Sequence, residues 1–268
     1  MTSEKIDLSI VIVNYNGLKY LEKCLSSIEL NCAGSSYEVV FVDNKSTDRS
    51  VAFISSQYPW VKVIESHENL GFAKGNNLGV AYSAGENILL LNNDTVLLTD
   101  VQVLLDIIEL QDIGVVGAKM LGTNKEVRDS FGRFPGPLTM LKLSRMYISA
   151  HKSHEGTLDV DWIEGSFLLT RRSVWDLVGG LDPAYFMYVE DVDYCKKVSM
   201  HGLRRVCNLD AGYIHHGGYE EARRGWLKDG YRIYAKNFFR GYKLMIFNFF
   251  ITVGFGLRDA KRYLRKLT

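Results

Sequence analysis

The feature that most limits the fold is a set of four short runs dominated by Val, Ile, Leu and Phe. They are LSIVIV at 8–13, EVVFVD at 38–43, VKVIES at 61–66 and NILLLNND at 87–94. A strand exposed on one face alternates apolar with polar, whereas near-continuous apolar runs need cover on both faces. Between the runs the period changes. Leu18, Leu21, Leu25 and Ile28 recur at the spacing of one helix face. NKSTDRS offers capping oxygens to a helix reaching Tyr58, and FAKGNNLGVAYSAG reads as a third helix stopped by Gly85. Strand and helix in strict alternation predict an α/β chain with a Rossmann-like, mostly parallel sheet and flanking helices.

The second half is less regular. Asp100 can cap a helix through Gln111, and IGVVGAKM reads as a strand. Residues 121–160 hold Pro135, Pro137, several glycines and two histidines, which predicts a mobile connection. WIEGSFLLT resumes strand character and RRSVWDLVGG a short helix. EDVDYCKKVSMHG is a helix with acids at its start and Gly202 at its end, and RRVCN and GYIHHGG are two short strands.

In a parallel sheet, ligands bind outside the carboxyl ends of the strands. Here those ends carry Asn14-Tyr15-Asn16, Asp43-Asn44 and Asn92-Asn93-Asp94. Asp94 is a hard-oxygen donor suited to Mg²⁺ or Mn²⁺, which complete their shells with substrate phosphates; the same triplet is also ordinary turn chemistry. Asp43 can accept the N3–H of a pyrimidine or serve as an Asx cap. Tyr15 can stack on a base or cover the sheet edge. NLGFAKGNNLG is neither a dinucleotide fingerprint nor a phosphate loop, yet its small residues would let backbone N–H groups, Lys74 and Asn76 approach a diphosphate. Glu190 and Asp191 open a helix, where acids complement the dipole or face a cleft as a general base. Of His215 and His216, adjacent on a strand and pointing to opposite faces, one can reach a metal.

The order of these pieces, IVIVNYNG, VDNKSTD, NLGFAKGNNLG, LLLNNDTVL, the run from WIEGSFLLT to SMHG, and YIHHGG, resembles the family 2 glycosyltransferases, and within them the bacterial rhamnosyltransferase-type branch. The likeness runs from Leu8 to Gly218. It implies a GT-A fold over 1–218, with a nucleotide-binding half (1–98), an acceptor-binding and catalytic half (99–218), and a helical extension at 219–268. It implies inverting sugar transfer from a dTDP- or UDP-sugar to a saccharide or lipid-linked acceptor in cell-surface polysaccharide synthesis. Position by position, Asn14 and Tyr15 fall at the base and ribose, Asp43 at the pyrimidine, and Asn93 with Asp94 at the end of the DXD motif; Asn44, Lys74 and Asn76 complete the expected donor-binding set. Asp94 and His215 fall at the metal, and Asp191, with Glu190 as its rival, at the catalytic base. Two departures stand out. The metal motif retains one carboxylate, and Glu220 replaces a common serine. No QxxRW run is present, which argues against a processive synthase. The competing readings are a nucleotidyltransferase, for which no basic glycine-rich activation loop is found, and a silent sugar-nucleotide binder, against which Glu190-Asp191 stand.

Charge is uneven. Residues 219–268 hold twelve Lys or Arg and four Asp or Glu, a balance of +8, and the rest of the chain stands at −7. Within the tail, Leu244–Leu257 is uncharged but shorter than the roughly 20 residues that span a bilayer. It suits a helix lying on a membrane surface, or one packed on the body or on a second copy of the chain. The acidic body argues against nucleic acid. Four cysteines without metal spacing read as reduced thiols, and the N-terminus lacks a secretory pattern. The expected location is the cytoplasm, peripheral to the inner membrane face.

Overall fold

A computed structural model describes residues 5–149, 155–217 and 223–267. The first four apolar runs form β1 (Leu8–Asn14), β2 (Tyr37–Asp43), β3 (Lys62–Glu65) and β4 (Asn87–Asn92). They are joined by α1 (Leu18–Asn31), α2 (Ser50–Gln57) and α3 (Gly71–Ala81). Then follow β5 (Thr95–Leu97), α4 (Gln102–Ile108), β6 (Ile113–Leu121), β7 (Val127–Arg128), β8 (Phe131–Gly132) and α5 (Pro137–Met140). The second half continues with β9 (Thr157–Val160), β10 (Trp162–Ile163), β11 (Phe167–Arg171), α6 (Arg172–Val178), α7 (Glu190–Met200) and β12 (Arg204–His215). Two helices, α8 (Arg223–Phe238) and α9 (Gly241–Leu267), complete the described chain.

The main sheet runs β3-β2-β1-β4-β11-β6-β12-β5. Its first four strands are parallel, with Asn14 opposite Asp43 and Val13 opposite Asn92. Three of the polar strand ends therefore lie on one edge. β11 is antiparallel to β4 and β6, and β12 is parallel to β6. Both faces are covered, as the continuous runs require. Ile10 and Ile12 of β1 pack with Leu21, Leu25 and Ile28 of α1, while Val11 turns to the opposite cluster with Ala73 and Val80 of α3.

Several expectations are corrected. α3 ends at Ala81, four residues before Gly85, which instead presses on β1 where its N–H donates to Ser9 Oγ (2.7 Å). The expected pair of strands RRVCN and GYIHHGG is one strand, β12, with a register shift between Asn208 and Gly212. Asn208 Oδ1 accepts the N–H groups of Asp210 (2.7 Å) and Ala211 (2.9 Å), so a side-chain turn replaces the ladder there. The 121–160 segment carries β7, β8, α5 and β9 rather than a structureless connection; its residues 150–154 lie outside the described residues. α8 and α9 pack on the body, burying Tyr231, Tyr234, Phe247, Ile251 and Phe255 in one cluster with Val192 and Tyr194 of α7. Among the described residues, no helix is long and apolar enough to cross a membrane. All four cysteines are free and buried.

The glycines of α3 have a packing role that the sequence reading assigned to an anion. A side chain at Gly79 would collide with Val11 Cγ1, and one at Gly75 would lie 2.9 Å from Val13 Cγ1. The helix thus rests directly on β1. Gly79→Ala should destabilise the fold by about 1–3 kcal/mol in urea unfolding, the usual effect of overpacking. Gly225→Ala in α8, where nothing lies within 4 Å, should instead gain about 0.5–1 kcal/mol.

Candidate active site

The carboxyl ends of β1, β2 and β4 are tied together by side chains. Buried Asn14 donates from Nδ2 to Asp43 Oδ1 (3.1 Å) and Ser46 Oγ (3.0 Å), and its Oδ1 accepts from Asn93 Nδ2 (2.6 Å). Asp43 Oδ2 accepts the Ser46 N–H (2.8 Å). The Asx turn expected of Asp43 is therefore present, and each carboxylate oxygen still has a lone pair for a further N–H. Asn44 donates to Gly71 O (2.9 Å), and its buried Oδ1 has no hydrogen-bond partner. Tyr15 stands exposed at the rim. Asn16, in the left-handed region (φ 53°), braces the opposite loop by accepting from the Thr47 N–H (2.7 Å).

Beyond β4, half-buried Asp94 meets β12. Its Oδ1 lies 3.2 Å from His215 Nε2, and its Oδ2 accepts the Gly217 N–H (3.0 Å). Burial pushes the Asp94 carboxyl up, but the bond and charge of His215 outweigh it and leave the group lowered. Burial likewise presses His215 down, and Asp94 raises it above its ordinary value. Two donors about 3 Å apart match adjacent positions on an octahedral ion with bonds near 2.1 Å. The carboxylate suits Mg²⁺ or Mn²⁺ and the imidazole the softer Mn²⁺, so the residues fit a divalent cation and favour Mn²⁺. Among the described residues no third His, Cys, Asp or Glu joins them in a ready metal cluster. An ion here therefore takes its remaining ligands from a diphosphate or water.

The catalytic candidates sit at the start of α7. Asp191 Oδ2 accepts the Gly165 N–H (2.9 Å) and Oδ1 the Val192 N–H (2.7 Å). Burial, aided by the charge of Glu164, pushes Asp191 up to about 6 against those two bonds. Glu190 is buried, and burial followed by the Asp191 charge holds it well above the usual carboxylate range. One of its oxygens, Oε2, has no hydrogen-bond partner. The turn Glu164-Gly165 joins the two ends of the site. Glu164 Oε1 lies 3.7 Å from His215 Nδ1, and its charge acts on both Asp191 and Glu190. A Cβ on Gly165 would lie 2.9 Å from the Phe72 ring and 3.6 Å from Asp191 Cβ.

The structure thus gathers Asn14, Asp43 and Asn93 at one end, Asp94 and His215 in the middle, and Asp191 and Glu190 at the other. Lys74 is exposed on α3 and joins none of these bonds. Asn76 is buried and donates to Phe72 O (2.9 Å) within its own helix. Two residues were missed by sequence reasoning. Glu164 lay inside an apolar run, where only the polar break Glu-Gly marked it. Arg128, whose Nη1 lies 3.4 Å from His215 O, comes from the stretch read as a connection; no local pattern announces it.

Comparison with known proteins bears on the family and the fold. The glycosyl transferase family 2 model matches residues 9–178. Rhamnosyltransferase WbbL of Escherichia coli (strain K12) is 29% identical over 253 residues, covering 86% of this chain and 90% of that protein. The N-acetylglucosaminyl-diphospho-decaprenol L-rhamnosyltransferase of Mycobacterium tuberculosis (strain ATCC 25618 / H37Rv) is 28% identical over 243 residues, covering 81% of this chain and 78% of that one. Among solved structures, the mannosyltransferase PcManGT of Pyrobaculum calidifontis, in complex with GDP-Man and Mn²⁺, superposes with a TM-score of 0.64 at 16% identity. The match covers 96% of this chain and 74% of that one, a likeness of fold.

Asp94→Ala and His215→Ala should each weaken Mn²⁺ binding in the presence of a nucleoside diphosphate by at least about ten-fold, since even supporting residues of metal sites have effects of that size. Calorimetric titration of Mn²⁺ into the UDP-loaded protein measures this.

Proposed function

The chain belongs to glycosyl transferase family 2, with a GT-A fold, and from that premise we propose an inverting, metal-assisted transfer of rhamnose or another hexose. The donor is a dTDP- or UDP-sugar, and the acceptor a hydroxyl of a saccharide or lipid-linked saccharide in cell-surface polysaccharide synthesis. One observation carries the reading: the Asp94–His215 pair and Asp191 flank the same Glu164-Gly165 turn, Glu164 facing His215 and the Gly165 N–H bonding Asp191. The rhamnosyl preference draws on the two rhamnosyltransferases to which the chain is similar.

Each residue then has a task. Asp43, held by Asn14 and Ser46, accepts the N3–H that uracil and thymine share, so it does not separate the two donors. Asn44 fixes the loop beside it through its bond to Gly71 O, and exposed Tyr15 offers a face for stacking. Asp94 and His215 would hold Mg²⁺ or Mn²⁺, which when bound stabilises negative charge on the departing diphosphate. Lys74 on α3 and Arg128 beside His215 supply cations to the same end. Asp191 takes the proton of the attacking hydroxyl. Its two backbone N–H bonds fix both oxygens, and above about pH 6 it is ionised and ready. Glu190, more deeply buried and with its carboxyl pushed up by burial and by the Asp191 charge, is left out of the proton transfer. The acceptor approaches past Phe186 and Trp226, whose rings lie 5.1 Å apart beside a cleft of about 200 Å³.

Asp191→Asn should lower kcat by 10²–10⁴-fold, the range for loss of a general base, while donor affinity holds. In the native protein kcat should fall about ten-fold per pH unit below about 6, where Asp191 takes up a proton. Glu190→Gln should keep most of the rate and retain that acid limb. An acid limb abolished by Glu190→Gln and kept by Asp191→Asn would reverse the assignment.

A further inference from the structure

α9 buries one face against the body and presents the other to solvent, with no covering element among the described residues. Tyr242, Met245, Ile246, Phe249 and Leu257 are between 45 and 74% exposed. At 3.6 residues per turn they fall within an arc of roughly 120°, opposite the buried Phe247, Ile251 and Phe255. The surface continues onto α5. Arg258 bonds Met140 O (3.0 Å), Gly254 lies against the same carbonyl, and Leu257 and Lys142 line a shared recess of about 130 Å³. Next to it, Leu138 and Leu143 are also exposed. A contiguous apolar stripe of this kind on a folded chain marks an interaction surface.

The charges around it identify the occupant. Between Asp229 and Asp259 the sequence has no Asp or Glu; Lys243 lies on α9 itself, and Lys142 lines the recess with Leu257. After Asp259 the sequence adds Lys261, Arg262, Arg265 and Lys266, a net basic run. A second copy related by two-fold symmetry would bring this basic rim against itself, which is repulsive. A phospholipid surface with anionic headgroups satisfies both features: the apolar face enters the headgroup–acyl boundary and the cations meet the headgroups. We propose that the α5–α9 face docks the protein on anionic bilayers, with α9 lying in the plane of the interface. Docking needs neither donor nor metal, so it stands or falls separately from the transferase reading.

The test is flotation of the full chain with vesicles of phosphatidylglycerol and phosphatidylethanolamine, against vesicles of phosphatidylcholine alone. Binding is expected on the first set and not the second, and should fall steeply between 0.1 and 0.5 M NaCl as screening shortens the reach of the charges. Met245→Glu combined with Phe249→Glu should lower the bound fraction at least about ten-fold. Leu30→Glu, at a remote position 79% exposed on α1, should leave it unchanged. Should the double variant fold poorly, a nitroxide on Met245→Cys reads immersion directly, the native cysteines being buried. Absence of flotation with anionic vesicles at low salt, equal flotation of the double variant, a nitroxide that stays in water, or a dimer dissolved by the double variant without any vesicle binding would each overturn the proposal.

Discussion

The hydrogen bond from the Gly165 N–H to Asp191 Oδ2, 2.9 Å long, ties the first turn of α7 to the turn between β10 and β11. That turn also carries Glu164, which faces His215 on β12, and Ser166, whose carbonyl accepts the Asn92 N–H at the end of β4 (3.1 Å). One backbone donor thus fixes the spacing between the carboxylate at the helix start and the Asp94–His215 pair at the strand ends. Position 165 has no room for a side chain, because the Phe72 ring occupies the space a Cβ would need. Phe72 is itself held where its N–H donates to Phe186 O (2.7 Å). The two halves of the sheet meet through these contacts, and any sugar lying between them is measured by one short rigid link.

The arrangement concentrates acids. The charge of Glu164 acts on both Glu190 and Asp191 in a poorly solvated corner, and Asp191 is pushed up to about 6, burial first and Glu164 second among the upward influences. The sign of the stability effect follows. Between 3.8 and about 6 the folded chain binds a proton at Asp191 that the unfolded chain has released. The stability from this group is therefore full below that window and lost as pH rises through it. At neutral pH the fold tolerates a carboxylate it would rather keep protonated, which is also the condition for a useful base. Elsewhere in α7 the opposite choice is made. Buried Asp193 accepts from Tyr185 Oη (3.0 Å) and Asn237 Nδ2 (2.7 Å) and pairs with Lys197 Nζ at 2.7 Å. Asp193 is thus held by three side chains, one of them a cation, whereas Asp191 is held by two backbone N–H groups and faces no cation at this range.

How much of this was legible depended on the range of the interaction. β1, β2, β3 and β4 were read nearly to the residue, since continuous Val, Ile and Leu encode two-sided burial locally. Asn14, Asp43 and Asp94 followed, because a parallel sheet sends its strand ends to one edge. The glycines of α3 misled: small residues near a strand end fit both anion approach and close helix–sheet packing, and only the positions of Val11 and Val13 separate the two. β12 was divided in two because Asn208, Asp210 and Gly212 look like a turn, and locally they are one, although the strand resumes beyond it. Glu164 and Arg128 were illegible for a different reason. Their contacts with His215 cross 51 and 87 positions of sequence, and no periodic pattern records a partner so distant.

The C-terminal helices read as an extension, yet the placement of Asp191 depends on them. Tyr188 and Val189, just before α7, lie in the left-handed region at φ 72° and 77°. A β-branched residue is rare there, and such conformations cost of order 1–3 kcal/mol each unless the surroundings impose them. α8 provides the imposition. Its Gly230 lies against Tyr188 O and Val189, Trp226 packs near the Tyr188 ring at 6.4 Å, and Asn237 reaches both Asp182 (2.9 Å) and Asp193 (2.7 Å). α9 in turn supports α8 through Phe247, stacked on Phe239 at 4.9 Å. A chain ending before α8 would keep every residue of the candidate site but lose what holds the turn ahead of Glu190 and Asp191 in its strained form. The extension is therefore part of what positions the carboxylate, and the surface it offers to solvent is mechanically continuous with the site.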